Sequence, residues 1–324
     1  MAHAIRIHST GGPEVLSWEE IEIPRPGPDE ALVRHTAIGL NFIDTYHRTG
    51  LYPLELPATP GLEAAGTVVE VGDGVTEVVP GDRVVYAGGP PGAYAELRVL
   101  PAEKLVVLPD GIDDRTAAAS MLKGMTAEYL LRRTYPVRAG ETVLIHAAAG
   151  GVGLIACQWA SRLGATVIGT VGSDAKAELA REHGCHHPVV YTRDSFVDRV
   201  RELTGGEGVP VVYDSVGEAT WEGSLDCLRR RGTMVSFGNA SGKVPPIEPV
   251  VLSQKGSLFL TRPTLMDYTA TRQDLVASAR ALFEVVASGA VRVEVRQTWP
   301  LADAAEAHRA LEGRETTGSS VLLP

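Results

Sequence analysis

The chain reads as an α/β protein in which a doubly wound, parallel-sheet domain is joined to a β-rich one. Three features of the sequence require this. Strand-like and helix-like segments alternate between residues 141 and 261, a pattern that a parallel sheet covered on both faces produces. The apolar strand ETVLIHA runs directly into Ala148-Ala149-Gly150-Gly151-Val152-Gly153 and then into a helix. The residues before Asp113 are short β-branched runs broken by proline and glycine. A length of 324 residues suits about two domains.

Taken in order, AIRIHST, VLSWEEIEI, EALVRHTAIGLN, GTVVEVGDGV, DRVVYAG and YAELRVL are the expected strands of the first third. Pro24, Pro26, Pro28, Gly72, Gly74 and the Pro80-Gly81-Asp82 turn punctuate them, as in a compact barrel-like unit. DDRTAAASMLKGMTAEYLLRRT is alanine-rich with helical spacing, and Pro136 closes it. ETVLIHA, ATVIGTV, PVVY, VPVVYDSV and GTMVSFG are then strands. VGLIACQWASRLG, DAKAELAREHG, DSFVDRVRELTG and TWEGSLDCLRRRG are the helices between them. LFLT (258–261) is a last, edge strand, and RQDLVASARALFEVVASG a helix. A strand, the short helix ADAAEAHRALEG and the strand SSVLLP follow.

Composition excludes several function classes. Thirty basic against forty acidic side chains give a net charge of −10, which disfavours general binding to nucleic acid or to anionic membranes. Cys157, Cys185 and Cys227 are an odd number, far apart, with no CxxC spacing, so a reducing compartment is expected and a disulfide framework is not. MAHAIRIHSTGG lacks the basic-then-apolar layout of a secretory signal, and Val143–Cys157 is too short to span a bilayer, so the cytoplasm is the expected location. Glycine is in excess, at 35 residues or about 11% against a usual ~7%.

The strand–glycine loop–helix segment explains part of that excess. Glycine lets the backbone approach a pyrophosphate, and the helix N-terminus offers unpaired N–H groups and the positive dipole end. An NAD site would place Asp or Glu at the tip of the second strand. Here the tip reads Val171-Gly172-Ser173-Asp174-Ala175-Lys176, with a hydroxyl and a lysine that suit a 2′-phosphate, so NADPH is the expected cofactor. Asp174 opposes this, unless it caps the next helix.

In these segments the chain resembles the medium-chain dehydrogenase/reductase superfamily, in its zinc-free quinone oxidoreductase (zeta-crystallin-like) branch. GGPEVL, GLNFIDTYHRTGLYP, PGLEAAGTVVEVG, PGDRVVY, AAASMLKGMTAEYLL, HAAAGGVGLIACQWA, VVYDSVG, MVSFGNASG, QKGSLFLTRPTL and GSSVLLP carry the likeness across nearly the whole length. The resemblance implies a GroES-like catalytic domain at 1–124 plus 262–324. The Rossmann dinucleotide-binding domain, 125–261, would be inserted between them, with the cofactor in the cleft. Where a zinc-dependent relative would place its Cys, His and second Cys, this chain carries Asn41, Leu62 and Lys123, so no catalytic metal is expected.

The resemblance also implies a set of site residues. Asn41, Phe42 and Tyr46 would face the nicotinamide, with Tyr52 near the mouth and Thr126 by the cofactor. Gly150, Gly151 and Val152 would cradle the pyrophosphate. Gly172, Ser173, Lys176 and Tyr191 would surround the adenosine ribose and its phosphate. Ser215, Phe237, Gly238 and Pro263-Thr264-Leu265 would line the nicotinamide arm, with Arg314 reaching in. Tyr46 is expected to hydrogen-bond the acceptor oxygen with Asn41 helping, or else only to shape the pocket. The implied activity is hydride transfer from NADPH to a quinone. A 2-alkenal or enone reductase is the enzymatic alternative, and an RNA-binding or crystallin-type role a minor one. A homodimer formed through the LFLT edge is expected.

Two other clusters have plainer readings. His183-Gly184-Cys185-His186-His187 looks like a metal cluster but is expected to be a helix C-cap. Arg229-Arg230-Arg231 is expected to be a solvated helix end.

Overall fold

The computed structural model describes all 324 residues. The first part of the chain forms β1 (Ala2–Arg6), β2 (Ser17–Ile21), β3 (Glu30–Leu40), α1 (Phe42–Thr49), β4 (Glu63–Val71), β5 (Arg83–Ala87), β6 (Leu97–Pro101), β7 (Val106–Val107) and α2 (Asp114–Tyr129). Then come β8 (Thr142–Ile145), α3 (Gly151–Arg162), β9 (Thr166–Val171), α4 (Asp174–Glu182), β10 (His187–Val190), α5 (Phe196–Leu203) and β11 (Val209–Asp214). They are followed by α6 (Trp221–Asp226), β12 (Leu228–Ser236), α7 (Val250–Gln254) and β13 (Phe259–Thr261). The remaining elements are α8 (Leu265–Tyr268), α9 (Arg272–Ala287), β14 (Val295–Pro300), α10 (Ala304–Glu312) and β15 (Ser319–Leu323). No helix is long and apolar enough to cross a membrane.

The chain divides into two compact units. One is Met1–Met125 with Thr269–Ala287 and Val293–Pro324; the other is Thr126–Tyr268 with Ser288–Arg292. The second junction falls at Tyr268/Thr269 rather than at 261/262. Tyr268 accounts for the difference: it stacks on Tyr129 at 4.4 Å, and its hydroxyl and carbonyl accept from Thr134 and Arg133 at 2.8 Å each.

In the first unit a seven-stranded sheet runs β14-β15-β3-β4-β5-β7, with β6 also paired to β3. Its core gathers Ile5, Val33, Ile38, Leu40, Tyr86, Tyr94, Leu105 and Leu322. One element was not anticipated in this strand-rich region. Asn41, with extended φ −130°, starts α1; the carboxylate of Asp44 accepts the Asn41 N–H at 2.9 Å; and Gly50 ends the helix at φ +78°.

The second unit is a six-stranded parallel sheet in the order β10-β9-β8-β11-β12-β13. The order reverses between β8 and β11, the place where doubly wound sheets bind ligands. Trp221, Leu225, Met234 and Val200 pack with the apolar strands on one face. β13 pairs only with β12 and forms the sheet edge.

The arginine run departs from its expected place. The helix stops at Asp226, and Arg229, Arg230 and Arg231 lie within β12, where the pairing jumps from Val209↔Leu228 to Val211↔Thr233. One residue of β11, Pro210, therefore stands opposite four of β12, and the arginines lie in the bulge. Within the histidine cluster, the His183 Nδ1 pairs with the Leu179 carbonyl and the His186 Nδ1 accepts from the Val167 N–H. Gly184 follows the helix at φ +81°.

Candidate functional site

In the second unit, parallel registry brings the C-terminal ends of all six strands to one edge. Gly150, Gly151 and Val152 follow β8; Gly172, Ser173 and Lys176 follow β9; and Tyr191 follows β10. Ser215 follows β11, Phe237 and Gly238 follow β12, and Pro263, Thr264 and Leu265 follow β13. Thr126 belongs to this unit as well, on α2. Asn41, Phe42, Tyr46, Tyr52 and Arg314 belong to the first unit.

The β8 loop has the form that an anion requires. Ala147 takes a left-handed φ of +52°, and Gly150, extended at φ −81° and ψ 174°, is the N-cap of α3. The first hydrogen bond of the helix runs from the Leu154 N–H to the Gly150 carbonyl, so the Gly151, Val152 and Gly153 amides have no helical acceptor. At Gly153 a Cβ would drive into the Ala147 carbonyl oxygen and lie 2.8 Å from Ala148 C, which makes glycine the fitting residue. Amides without a helical acceptor and the helix dipole suit a pyrophosphate.

The β9 tip corrects one expectation. Ser173, not Asp174, caps α4, accepting the Lys176 N–H at 3.3 Å. Asp174 is paired with Arg193 at 3.2 Å, so its charge is compensated locally. Arg193, 19 residues further on, thus sets a cation against the first turn of α4, a pairing that the sequence does not announce. Tyr191 closes over Gly172, where a Cβ would come within 3.0 Å of the tyrosine oxygen.

A buried network supports the β11 loop. Asp214 accepts from the Val216 and Gly217 N–H groups at 2.8 and 3.0 Å, and from Thr220 and Ser224 at 2.7 Å each. Burial pushes Asp214 upward, but nearby His146 and these hydrogen bonds outweigh it and hold the carboxyl below its usual range. Since Ser224 donates to Asp214, it accepts from His146 Nε2 at 2.9 Å, and His146 Nδ1 then accepts from Thr170 at 2.8 Å. Arg262 donates to Ser236 Oγ and to the Gly238 carbonyl, fixing the β12 loop beside Pro263.

In the first unit, α1 carries an aromatic group. Tyr46 is buried, with Phe42 at 5.7 Å and Tyr52 edge-on at 5.2 Å between ring centroids. Tyr52 is folded back by a 3.0 Å bond from its N–H to the Tyr46 carbonyl.

Asn41 is held by hydrogen bonds within its own unit. Its Nδ2 donates to Glu63 Oε2 at 2.8 Å and to the Gly39 carbonyl at 3.3 Å. Both amide protons of Asn41 are thus engaged within the protein.

Glu63 is fully buried and also accepts from the Leu122 N–H at 2.6 Å and from Lys123 Nζ at 3.3 Å. An amide, an alkyl group and an ammonium therefore stand at Asn41, Leu62 and Lys123, a set that does not fit a zinc ion. Neither Glu63 nor its partnership with Lys123 stands out in the sequence, because the two lie 60 residues apart.

Behind Asn41 a second chain of hydrogen bonds has a fixed direction. Arg48 is only a donor, so its 3.1 Å contact makes His308 Nδ1 the acceptor. His308 Nε2 then donates to Tyr94 Oη at 3.0 Å, and Tyr94 to Asp44 Oδ2 at 2.9 Å. Burial, then the Arg48 charge, lowers His308 to about 3. Burial raises Asp44 to about 7 against the opposing bonds of Asn41 and Tyr94.

Comparison with known proteins accords with these features. Residues 27–110 match the family model described as alcohol dehydrogenase GroES-like domain, and residues 151–284 the one described as zinc-binding dehydrogenase. The Pseudomonas aeruginosa quinone oxidoreductase is 57% identical, with all of both chains covered. A Burkholderia 2-haloacrylate reductase is 50% identical over 100% of this chain and 99% of its own. The crystal structure of Escherichia coli quinone oxidoreductase complexed with NADPH superposes with a TM-score of 0.98 at 52% identity, covering both chains fully. The chain belongs to the zinc-free quinone oxidoreductase family of medium-chain dehydrogenases/reductases.

Proposed function

We propose that this protein is an NADPH-dependent quinone reductase that works without a metal ion. The observation that carries the reading is the β8 loop at the strand-end edge, in a chain 57% identical along its full length to a quinone oxidoreductase. The α3 amides would hold the pyrophosphate, and Ser173, Lys176 and Tyr191 the adenosine ribose and its 2′-phosphate. Thr126, Ser215, Phe237, Gly238, Pro263, Thr264, Leu265 and Arg314 would define the nicotinamide arm. When bound, NADPH supplies the hydride from C4 of its nicotinamide ring.

Tyr46 would donate its hydroxyl to the acceptor oxygen as charge develops there, with Phe42 and Tyr52 setting its orientation. Asn41 would hold the start of α1, and with it Tyr46, in place. A quinone needs little electrophilic help because aromatisation drives its reduction, and water can supply the accompanying proton.

The Burkholderia relative supports a second reading, reduction of an activated alkene. The hydride would then go to the β-carbon while Tyr46 held the carbonyl. Steady-state turnover of a bulky ortho-quinone, benzoquinone and a short enone, each with NADPH and with NADH, separates the two. Turnover confined to enones would exclude the quinone assignment.

A homodimer is part of the proposal. Phe259 and Leu260 are 58% and 36% exposed on β13, and an apolar edge strand needs a partner. Sedimentation at micromolar concentration should show a dimer that Leu260→Lys splits; a wild-type monomer would exclude it. The three buried free thiols support a reducing, cytoplasmic location.

A further inference from the structure

At the opposite, N-terminal edge of the second unit's sheet lies a cavity of about 640 Å³ lined by Arg201, Arg230, Arg231, Lys255, Ser253 and Ser257, among others. We propose that this cavity is a second anion site, distinct from the dinucleotide edge, that takes a small non-aromatic molecule carrying two phosphate groups.

The backbone shows how the site is built. Consecutive residues of a regular strand point to opposite faces, so adjacent arginines would not normally share a cavity. Here the bulge between Leu228 and Thr233 breaks that alternation. Arg231 adopts φ +60°, and its N–H donates to the Gly256 carbonyl at 2.8 Å. Ser257, next along, is also left-handed at φ +58°. A Cβ at Gly256 would lie 3.3 Å from the Arg230 Cα, so the two segments approach closely.

Left-handed backbone at a residue other than glycine costs about 1–3 kcal/mol and gathers where function requires it. Only five such residues occur in this chain: Asp29, Ala147, Arg231, Ser257 and Arg314. Ala147 opens the pyrophosphate loop, and two of the other four line this cavity.

The charges point the same way. Four cations face a single carboxylate, Asp226, in a protein whose net charge is −10. Asp226 engages Lys255 through its side chain and Arg201 through its carbonyl. Arg230 and Arg231 have no carboxylate within ion-pair distance, and both are exposed. Two guanidinium forks with two serine hydroxyls match a pair of phosphates, since Arg meets phosphate through parallel N–H bonds. Leu225 is the only large apolar residue of the lining and no aromatic ring is present, which leaves nothing for a nucleobase to stack on.

The test is calorimetric titration of inorganic pyrophosphate into protein already saturated with NADPH, which keeps the dinucleotide edge filled. Saturable binding at one site per chain is expected, at least tenfold tighter than for inorganic phosphate. Arg230→Ala with Arg231→Ala should weaken it at least tenfold and leave the NADPH affinity unchanged, whereas Lys176→Ala should not alter it. Arg231→Gly serves as the folding control: it accepts the left-handed backbone, so it should keep or raise the thermal midpoint while weakening pyrophosphate binding. Absence of saturable binding, equal binding by the double variant, or loss of binding in Lys176→Ala would each overturn the proposal. Binding of a single-stranded RNA with no response to pyrophosphate would overturn it too.

Discussion

Lys123→Met tests the first unit's buried ion pair. The substitution removes the ammonium and leaves the Glu63 carboxylate, 0% exposed, with only the Leu122 N–H at 2.6 Å and the Asn41 amide at 2.8 Å. Two hydrogen bonds do not replace a counter-charge in a site closed to water. Removing one partner of a buried pair costs about 3–5 kcal/mol. At about 2–4 °C per kcal/mol for a unit of this size, the thermal midpoint should fall by about 6–20 °C. Glu63→Gln combined with Lys123→Met removes both charges and keeps an oxygen for the Leu122 amide, so most of the loss should be recovered. Differential scanning calorimetry of the four members of the cycle gives the coupling. A single variant within about 1 kcal/mol of wild type, or a double variant no better than the single, would refute the reasoning.

Three further outcomes are expected. His308 is held neutral in the fold at about 3 against 6.5 when unfolded, so its contribution to stability is complete above 6.5 and is lost as pH falls towards 3. His308→Gln should therefore lower the proton uptake on unfolding at pH 5 by about one proton, measured calorimetrically in buffers of different ionisation enthalpy. Lys176→Ala should raise the NADPH dissociation constant about 10–100-fold, the equivalent of a charge-assisted bond, and change that of NADH by less than about threefold. Nicotinamide fluorescence reads both, and equal effects would remove Lys176 from the phosphate site. Gly153→Ala forces a Cβ onto the Ala147–Ala148 backbone, so α3 must shift and NADPH binding should weaken at least about tenfold while far-UV dichroism stays unchanged.

What the sequence revealed follows from how local each signal is. The six parallel strands and the β8 loop were legible because strand, glycines and helix lie within about fifteen consecutive residues, where pattern and chemistry coincide. The eight-residue α1 was hidden in strand-like surroundings, since its cap depends on Asp44 reaching back to Asn41. Arg229–Arg231 read as a helix end because a run of cations suits one; only the pairing of β12 with β11 shows a bulge. Glu63 with Lys123, and Asp44 with Tyr94 and His308, join residues separated by 50 to 214 positions. No periodicity reports such partners. The bond from the Asn41 amide to Glu63, 22 residues on, likewise leaves no trace in the sequence pattern.

The place of β15 bears on how the protein is made. It lies between β14 and β3, so residues 319–323 complete the interior of a sheet begun by residue 30. The second unit, apart from Ser288–Arg292, is one unbroken stretch that has left the ribosome once Tyr268 emerges. At ~5–20 residues per second, several seconds of synthesis still separate it from β15. During that interval the Ile38–Leu40 end of β3 presents an unpaired edge, a template for association with a neighbouring nascent chain. The doubly wound unit can be folded and ready for its ligand while the other still waits for its closing strand. A ribosome that stalls in that interval would release a protein able to bind a dinucleotide but not to complete the sheet from which α1 and Tyr46 depart.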